Sequence, residues 1–161
     1  LIPAAGSGSR MKAGKNKLLI ELEGKSLIYW TLKSVLSSSL VSWVGVIGQP
    51  NDKNELLNSV KGFASKVQWI NGGATRQESV FNGLNSLPSN AEKVLIHDGA
   101  RCLIKPKLIN KCALELEEND AVILATKVTD TIKIVDDKGY IQKTPDRKNL
   151  WAAQTLSLIH I

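Results

Sequence analysis

Short apolar runs rich in branched residues alternate along this chain with stretches in which apolar positions recur every three or four residues, the trace that successive βα units leave. Residues 42–47 and 67–70 predict strands, the first closed by Gly48, Pro50 and Asn51. Residues 94–97 and 121–128 are apolar without alternation, which predicts strands covered on both faces. Before the first of these strands, residues 26–38 predict a helix with Leu27, Ile28, Leu32, Val35 and Leu36 on one side. Further helices are predicted over 52–60, over 75–86 with Pro88 beyond its end, and over 106–118 with Pro106 in its first turn.

After residue 128 the pattern changes. Residues 130–135, a turn at Asp136, Asp137, Lys138 and Gly139, and residues 140–143 predict a hairpin that is polar on both sides. Such a hairpin has no face to give to a core and is expected to project as an arm that meets a second subunit. At the other end, Leu1 and Ile2 are short for a central strand, so residues upstream are expected.

Ligands of open α/β sheets bind outside the carboxyl ends of the strands. Three unusual loops occupy that edge here: 4–17, 71–79 and 98–101. Chemistry is expected where they converge.

Composition narrows the choice of ligand. The 161 residues suit a single domain, and a hydrophobic fraction of 43% with 22% charged residues is ordinary for a globular protein. No apolar run approaches a membrane span and no leader pattern is present, so no membrane association and a cytoplasmic address are expected. The net charge of +6 points to an anionic partner. With only 5% aromatic residues and scattered basic ones, the stacking platform of a nucleic-acid binder is missing, and a small phosphate ligand fits better. Cys102 and Cys112 stand in no metal-ligand spacing and read as free thiols, and His97 and His160 have no cluster from which to build a zinc site.

The loops carry candidate chemistry, each beside a plainer reading. Ala4, Ala5, Gly6, Ser7, Gly8 and Ser9 lack bulk, so their backbone N–H groups can approach a triphosphate, or they are an ordinary Gly-Ser turn. The sequence is neither a dinucleotide fingerprint, since Met11 replaces a third glycine, nor a Walker loop. Arg10 and Lys17 favour the phosphate reading, because fixed cations beside such a turn suit a migrating phosphoryl group. Gly72 and Gly73, before Arg76 and Ser79, make a turn that can meet a flat base edge or merely cap a helix. His97 to Arg101 ends a strand with a carboxylate, Asp98, which can take ribose hydroxyls or a metal, or cap the next helix and pair with Arg101. Thr131, Lys133, Arg147 and Lys148 lie in or near the hairpin, where charge is usually a solvated face.

Taken in order, Pro3 to Met11 with Lys17, Gly72 and Gly73 followed by Arg76 and Ser79, His97 to Arg101, Thr129 to Thr131, Asp146 and Arg147, Trp151, and Gln154 with Thr155 resemble the 2-C-methyl-D-erythritol 4-phosphate cytidylyltransferase family over nearly the whole chain. The resemblance implies a Rossmann-like three-layer α/β/α fold with a mostly parallel twisted sheet and a protruding β-hairpin arm at about 130–148, within one domain over 1–155. It implies CMP transfer from CTP to 2-C-methyl-D-erythritol 4-phosphate in non-mevalonate isoprenoid biosynthesis, with Mg²⁺ carried on the CTP phosphates, in a homodimer joined through the arm. By the same resemblance Ala4, Ala5, Gly6, Ser7 and Gly8 hold nucleotide, and Arg10 and Lys17 stabilise the transition state. Gly73 and Ser79 read cytosine, Asp98 and Gly99 lie by the ribose and the sugar phosphate, and Thr131 and Arg147 bind the acceptor partly across the dimer interface. A cytidylyltransferase for ribitol 5-phosphate or another polyol phosphate, and a non-catalytic nucleotide-binding domain, are the competing readings.

The sequence departs from the family pattern in places. Asn16 stands where a proline often precedes the lysine, Leu18 replaces a glutamine, Gly99 an alanine and Cys102 a proline. After Thr155 the family continues with a segment bearing a further lysine, whereas here the text becomes Leu156 to Ile161. That hexapeptide resembles one reading frame of a transposon adapter, so 156–161 is expected to be a non-native tail.

Overall fold

The computed structural model describes residues 1–6 and 16–160. A two-stranded ribbon, β2 (Glu21–Leu22) with β3 (Lys25–Ser26), stands apart and leads into the first helix. Strands β1 (Ile2–Pro3), β4 (Gly45–Gly48) and β5 (Gln68–Asn71) form a parallel ladder in the order β1-β4-β5, with Ile2 opposite Val46 and Ile47 opposite Ile70. A second ladder runs β6 (Lys93–Ile96), β10 (Trp151–His160), β7 (Ala121–Lys127). The two are one sheet. Leu1 N donates to Leu95 O at 2.7 Å, and Leu1 O accepts from His97 N at 3.0 Å, which is parallel pairing of the chain start with β6. The order is therefore β5-β4-β1-β6-β10-β7. β10 alone runs against its neighbours, as its antiparallel registers with β6 and β7 show, so the sheet is mostly parallel, as expected.

Alternation along the inner strands builds a core on each face. Ile2, Val44 and Val46 join Ile28, Leu32, Leu56 and Ile109 of helices α1 (Leu27–Leu36), α2 (Lys53–Ser59) and α4 (Pro106–Glu115). Leu1, Ile47, Ile70 and Val94 face the other way, where Leu84 of α3 (Arg76–Leu84) and Leu87 pack on them. This gives the three layers. Ser26 starts α1 by accepting from Tyr29 N, and Thr75 starts α3 by accepting from Glu78 N.

Two sequence expectations need correction. The strand read over 121–128 as covered on both faces is half exposed, with Ile123 at 53%, because β7 lies at the sheet edge with β10 on one side only. The hairpin of β8 (Ile134–Val135) and β9 (Ile141–Lys143) projects, but it is not polar on both sides. Ile134, Val135, Tyr140 and Ile141 all lie on its exposed surface. Its turn is set by Asp136, whose carboxylate accepts from Lys138 N and Tyr140 N, and by Gly139 at φ +85°.

β10 carries a register shift between Ala153 and Ser157, an irregularity that sets residues 154–156 apart from the ladder. Leu156 within it and Leu158 beyond it, both of the segment expected as a foreign tail, are buried in the larger core, their spacing of two matching one face of a strand. Cys112 is buried and Cys102 half-buried, both as free thiols; burial, with Glu115 nearby, raises the Cys112 thiol pKa above its ordinary value.

Leu32 is fully buried at the centre of the larger core. Leu32→Ala is expected to cost about 2–5 kcal/mol in urea unfolding. Leu103→Ala, on a side chain 82% exposed, should stay within about 0.5 kcal/mol of the parent.

Candidate active site

The cleft opens where β1 ends between β4 and β6. Ala4 N donates to Ile47 O at 2.6 Å and Gly99 N to Pro3 O at 3.3 Å, so the segments following β1 and β6 leave the sheet side by side. Gly72 N donates to Gly48 O at 2.9 Å and brings the turn after β5 to the same rim. The approach is close enough that a Cβ on Gly72 would stand 2.9 Å from the Ala5 Cβ, and one on Gly99 3.0 Å from Leu18 Cδ1. These two glycines let the backbones meet.

The resulting cavity has a volume of about 560 Å³ and is lined from all three loops: Ala4, Ala5, Gly6 and Lys17 from the first, Gly73 and Ser79 from the second, Asp98 and Gly99 from the third. The structure thus brings together eight of the residues singled out in the sequence. Thr131 and Arg147 are not among the lining residues. They sit exposed on the hairpin arm, where Arg147 Nη1 donates to Thr129 O at 2.7 Å. Ser7, Gly8 and Arg10 lie outside the described residues.

Each loop is held by its own hydrogen bonds. In the second, Ser79 is buried, and its hydroxyl accepts from Gly73 N at 3.0 Å while donating to Thr75 O at 2.8 Å. The Glu78 carboxylate accepts from Ala74 N at 2.8 Å, and Glu78 N donates to Thr75 Oγ1, a reciprocal cap on α3. A Cβ on Gly73 would fall 2.3 Å from the Glu78 side chain, so this turn fits glycine alone. Gln49, after β4, donates from Nε2 to Gly73 O at 3.1 Å and also lines the cavity, a contact no local sequence signal announces.

In the first loop, Lys17 stands on a 3-10 turn, Lys17–Leu19, and Asn16 caps it by accepting from Leu18 N. In the third, Asp98 lies between two guanidiniums: Arg76 Nη2 at 3.2 Å and Arg101 Nε at 3.9 Å. Arg101 also donates to Gln154 in the bulge of β10. These partly exposed pairs contribute little to stability, but they gather two cations and an anion at the cavity mouth. Thr31, on α1, donates from Oγ1 to Gly99 O at 2.7 Å and fixes the backbone beside Asp98 from beneath.

His97, one residue before Asp98, is 1% exposed. Its Nδ1 lies 3.0 Å from Thr155 O and its Nε2 3.1 Å from Arg101 O. A neutral imidazole can donate to only one of them. Burial pushes the His97 pKa below its ordinary 6.5 and outweighs the opposing pull of the two carbonyls and of Asp98. The imidazole therefore serves as a buried tie between β6, the Arg101 loop and β10.

An α/β domain that gathers backbone amides, a lysine and a carboxylate at the carboxyl ends of its central strands has the build of a nucleotidyltransferase. The profile of the 2-C-methyl-D-erythritol 4-phosphate cytidylyltransferase (IspD) family matches residues 1–159, and the chain belongs to that family. It is 85% identical over 155 residues to the 2-C-methyl-D-erythritol 4-phosphate cytidylyltransferase of Prochlorococcus marinus (strain MIT 9515), covering 96% of this chain and 70% of that protein. Against the enzyme of the same name from Parasynechococcus marenigrum (strain WH8102) the identity is 56%, over 96% of this chain and 69% of that one. Among solved structures, 4-diphosphocytidyl-2C-methyl-D-erythritol synthase from Anaerococcus prevotii DSM 20548 superposes with a TM-score of 0.87 at 33% identity, over 99% of this chain and 67% of that one.

The His97 contacts make stability depend on pH with a definite sign. Because the folded pKa lies below the ordinary 6.5, the unfolded chain binds the proton more readily, and stability falls as pH drops below about 6.5 and recovers above it. The urea midpoint is expected to fall between about pH 7.5 and pH 5.5, and to fall less in His97→Asn.

Proposed function

We propose that this chain transfers the cytidylyl group of CTP to 2-C-methyl-D-erythritol 4-phosphate, forming the CDP-alcohol and pyrophosphate. The observation that carries this reading is the convergence of Lys17, Gly73 and Asp98 on one cavity, in a chain of this family.

In the proposed reaction, a phosphate oxygen of the acceptor forms a bond to the α-phosphorus of CTP. The bond from that phosphorus to the bridging oxygen of the β-phosphate breaks, and its electron pair leaves with pyrophosphate. The attacking oxygen is already an anion at neutral pH, so no general base is needed. The task is to bring two anions together and to stabilise the charge that builds on the equatorial oxygens. The backbone of Ala4, Ala5 and Gly6, continuing through Ser7 and Gly8, would cradle the triphosphate, while Lys17 and Arg10 would lie against the reacting phosphorus.

Gly73 would meet the cytosine edge with its backbone, and Ser79 would keep that backbone in place through the bond to Gly73 N. Asp98 and Gly99 would lie by the ribose and the acceptor. Thr131 and Arg147 do not line the cavity of their own chain, and we take them to bind the acceptor phosphate from the arm of a second copy. The exposed apolar residues Ile134, Val135, Tyr140 and Ile141 of the arm support such a homodimer.

No group of three or more metal-binding side chains occurs among the described residues, and Asp98 is a carboxylate on the cavity wall. Mg²⁺ would be carried on the CTP phosphates, while the Asp98 oxygens, paired with Arg76 and Arg101, would stay by the ribose and the acceptor. Such an ion supplies charge neutralisation of the phosphates. No helix among the described residues is long and apolar enough to cross a membrane, which is compatible with the cytoplasmic address proposed for the enzyme.

Pyrophosphate release from CTP should occur with methylerythritol phosphate and be far slower with ribitol 5-phosphate; the reverse preference would sink the substrate assignment. Lys17→Ala is expected to lower kcat by about 10²–10³ with CTP affinity largely kept. Equal losses in binding and rate would leave Lys17 a binding residue only.

A further inference from the structure

We infer that Asn16 is a positioning residue for the proposed transfer: its carboxamide ties Ala4 and Asp52 to the turn Lys17–Leu19 and thereby sets where Lys17 stands. The inference rests on the catalytic reading of Lys17 given above. Asn16 is 4% exposed, although it sits beside a cleft lysine in a loop where polar side chains usually face water. Its amide is spent on three separate segments. One Nδ2 hydrogen goes to Ala4 O at 2.9 Å and the other to Asp52 Oδ2 at 2.8 Å, while Oδ1 accepts from Leu18 N at 3.0 Å.

The partners explain what the amide does. Ala4 is where the chain leaves β1 for the loop, and Leu18 belongs to the turn that carries Lys17. Asp52 belongs to the turn Pro50–Asp52 that follows β4. Joining Ala4 to Asn16 ties the end of β1 to the turn that carries Lys17. Joining both to Asp52 anchors them to the sheet, and the carboxylate makes this the strongest of the three bonds. A lysine is a point charge on a flexible stem, so its value in a transition state depends on how firmly its own backbone is placed.

Only a carboxamide of this length offers two donors and an acceptor. Aspartate would keep the acceptor for Leu18 N but set a second carboxylate against Asp52. Proline could keep the backbone direction, since φ at Asn16 is −59°, yet it would remove all three bonds. The substitutions therefore separate backbone direction, the cap on the Lys17 turn, and the tie to Asp52.

The test measures initial rates with CTP and methylerythritol phosphate, together with thermal unfolding, for Asn16→Ala, Asn16→Pro, Asn16→Asp, Asp52→Asn and the double variant Asn16→Asp with Asp52→Asn. Asn16→Ala and Asn16→Pro are expected to lose about tenfold to 10²-fold in kcat, as for a small misplacement of a catalytic group, with KM for CTP changed far less. Asp52→Asn keeps an acceptor for Nδ2 and should lose least. Asn16→Asp should lose as much as Asn16→Ala. The double variant should recover part of that loss, because the carboxamide introduced at position 52 can then donate to the carboxylate introduced at position 16, while Ala4 O stays without its donor. Wild-type kcat in Asn16→Ala and Asn16→Pro, no recovery in the double variant, or a loss that only tracks the unfolded fraction would overturn the inference. Hydrogen exchange at the Leu18 amide, without substrate, separates this from the functional reading. A parent protein that makes no product overturns the proposed function, whereas unchanged Leu18 exchange in Asn16→Ala overturns the clamp. If Asn16→Ala fails to fold, Asn16→Asp and its double variant carry the same decision.

Discussion

The placement of β1 between β4 and β6 is the constraint on which the cleft depends. The strand is short, yet it is held from both sides: Ile2 and Pro3 pair with Val46 and Ile47, while Leu1 and Pro3 bond to Leu95, His97 and Gly99. The next strand of the parallel ladder in sequence, β4, pairs on one side of β1 and β6 pairs on the other, so the strand order reverses at β1 and the cleft lies at that reversal. Glycine at positions 72 and 99 lets neighbouring backbones close to contact distance around that crevice. Burial of Ile2 and Ile47 on opposite faces resists any slip of register, since a one-residue shift would turn both faces inside out.

Electrostatics then distinguishes the cleft from an ordinary strand-end loop. Lys17, Asp98 and Arg76 lie within its walls, and Arg101 pairs with Asp98 from the side of β10. The net charge of +6 is spread over the chain, so what matters is that these cations are fixed by backbone elements with unrelated sequence positions. Hydrogen bonds that lead inward from them do the fixing: Asn16 beneath Lys17, Thr31 beneath Gly99, and Ser79 beneath Gly73. A site that must accept two phosphorylated molecules gains from donors that are already oriented, because no reorganisation is then needed as charge migrates.

Much of this is legible in the sequence. The alternation of apolar runs with helical periodicity locates β4, β5, β6 and the four α-helices of the described residues to within a few residues, but does not find β10, the strand between β6 and β7; the strand-end rule identifies the three loops that line the cavity. The two errors share a cause: residues 121–127 and the hairpin are read by composition, and composition does not say whether an apolar side chain has a neighbour. β7 lies at an edge, and the apolar residues of the arm face outward. Asn16 is visible only as a departure from a family pattern, because a hydrogen-bond clamp to Ala4 and Asp52 depends on a fold in which residues far apart in sequence meet. Gln49 gives no signal at all, since its contact with Gly73 O exists only once β4 and β5 are side by side. The foreign character read into Leu156 to Ile161 comes from the text, while the burial of Leu156 and Leu158 follows from the alternation of that same text.

The central claim is that one nucleotide spans the rim from the Gly72–Gly73 turn to Lys17. A crystal structure of the protein with CTP bound addresses it most directly. The base should lie on the Gly72–Gly73 turn, the phosphates should pack on the backbone of residues 4–6, and Lys17 Nζ should reach a phosphate oxygen. CTP lying with its phosphates on Arg76 and Arg101, and Lys17 turned away from it, would contradict the claim.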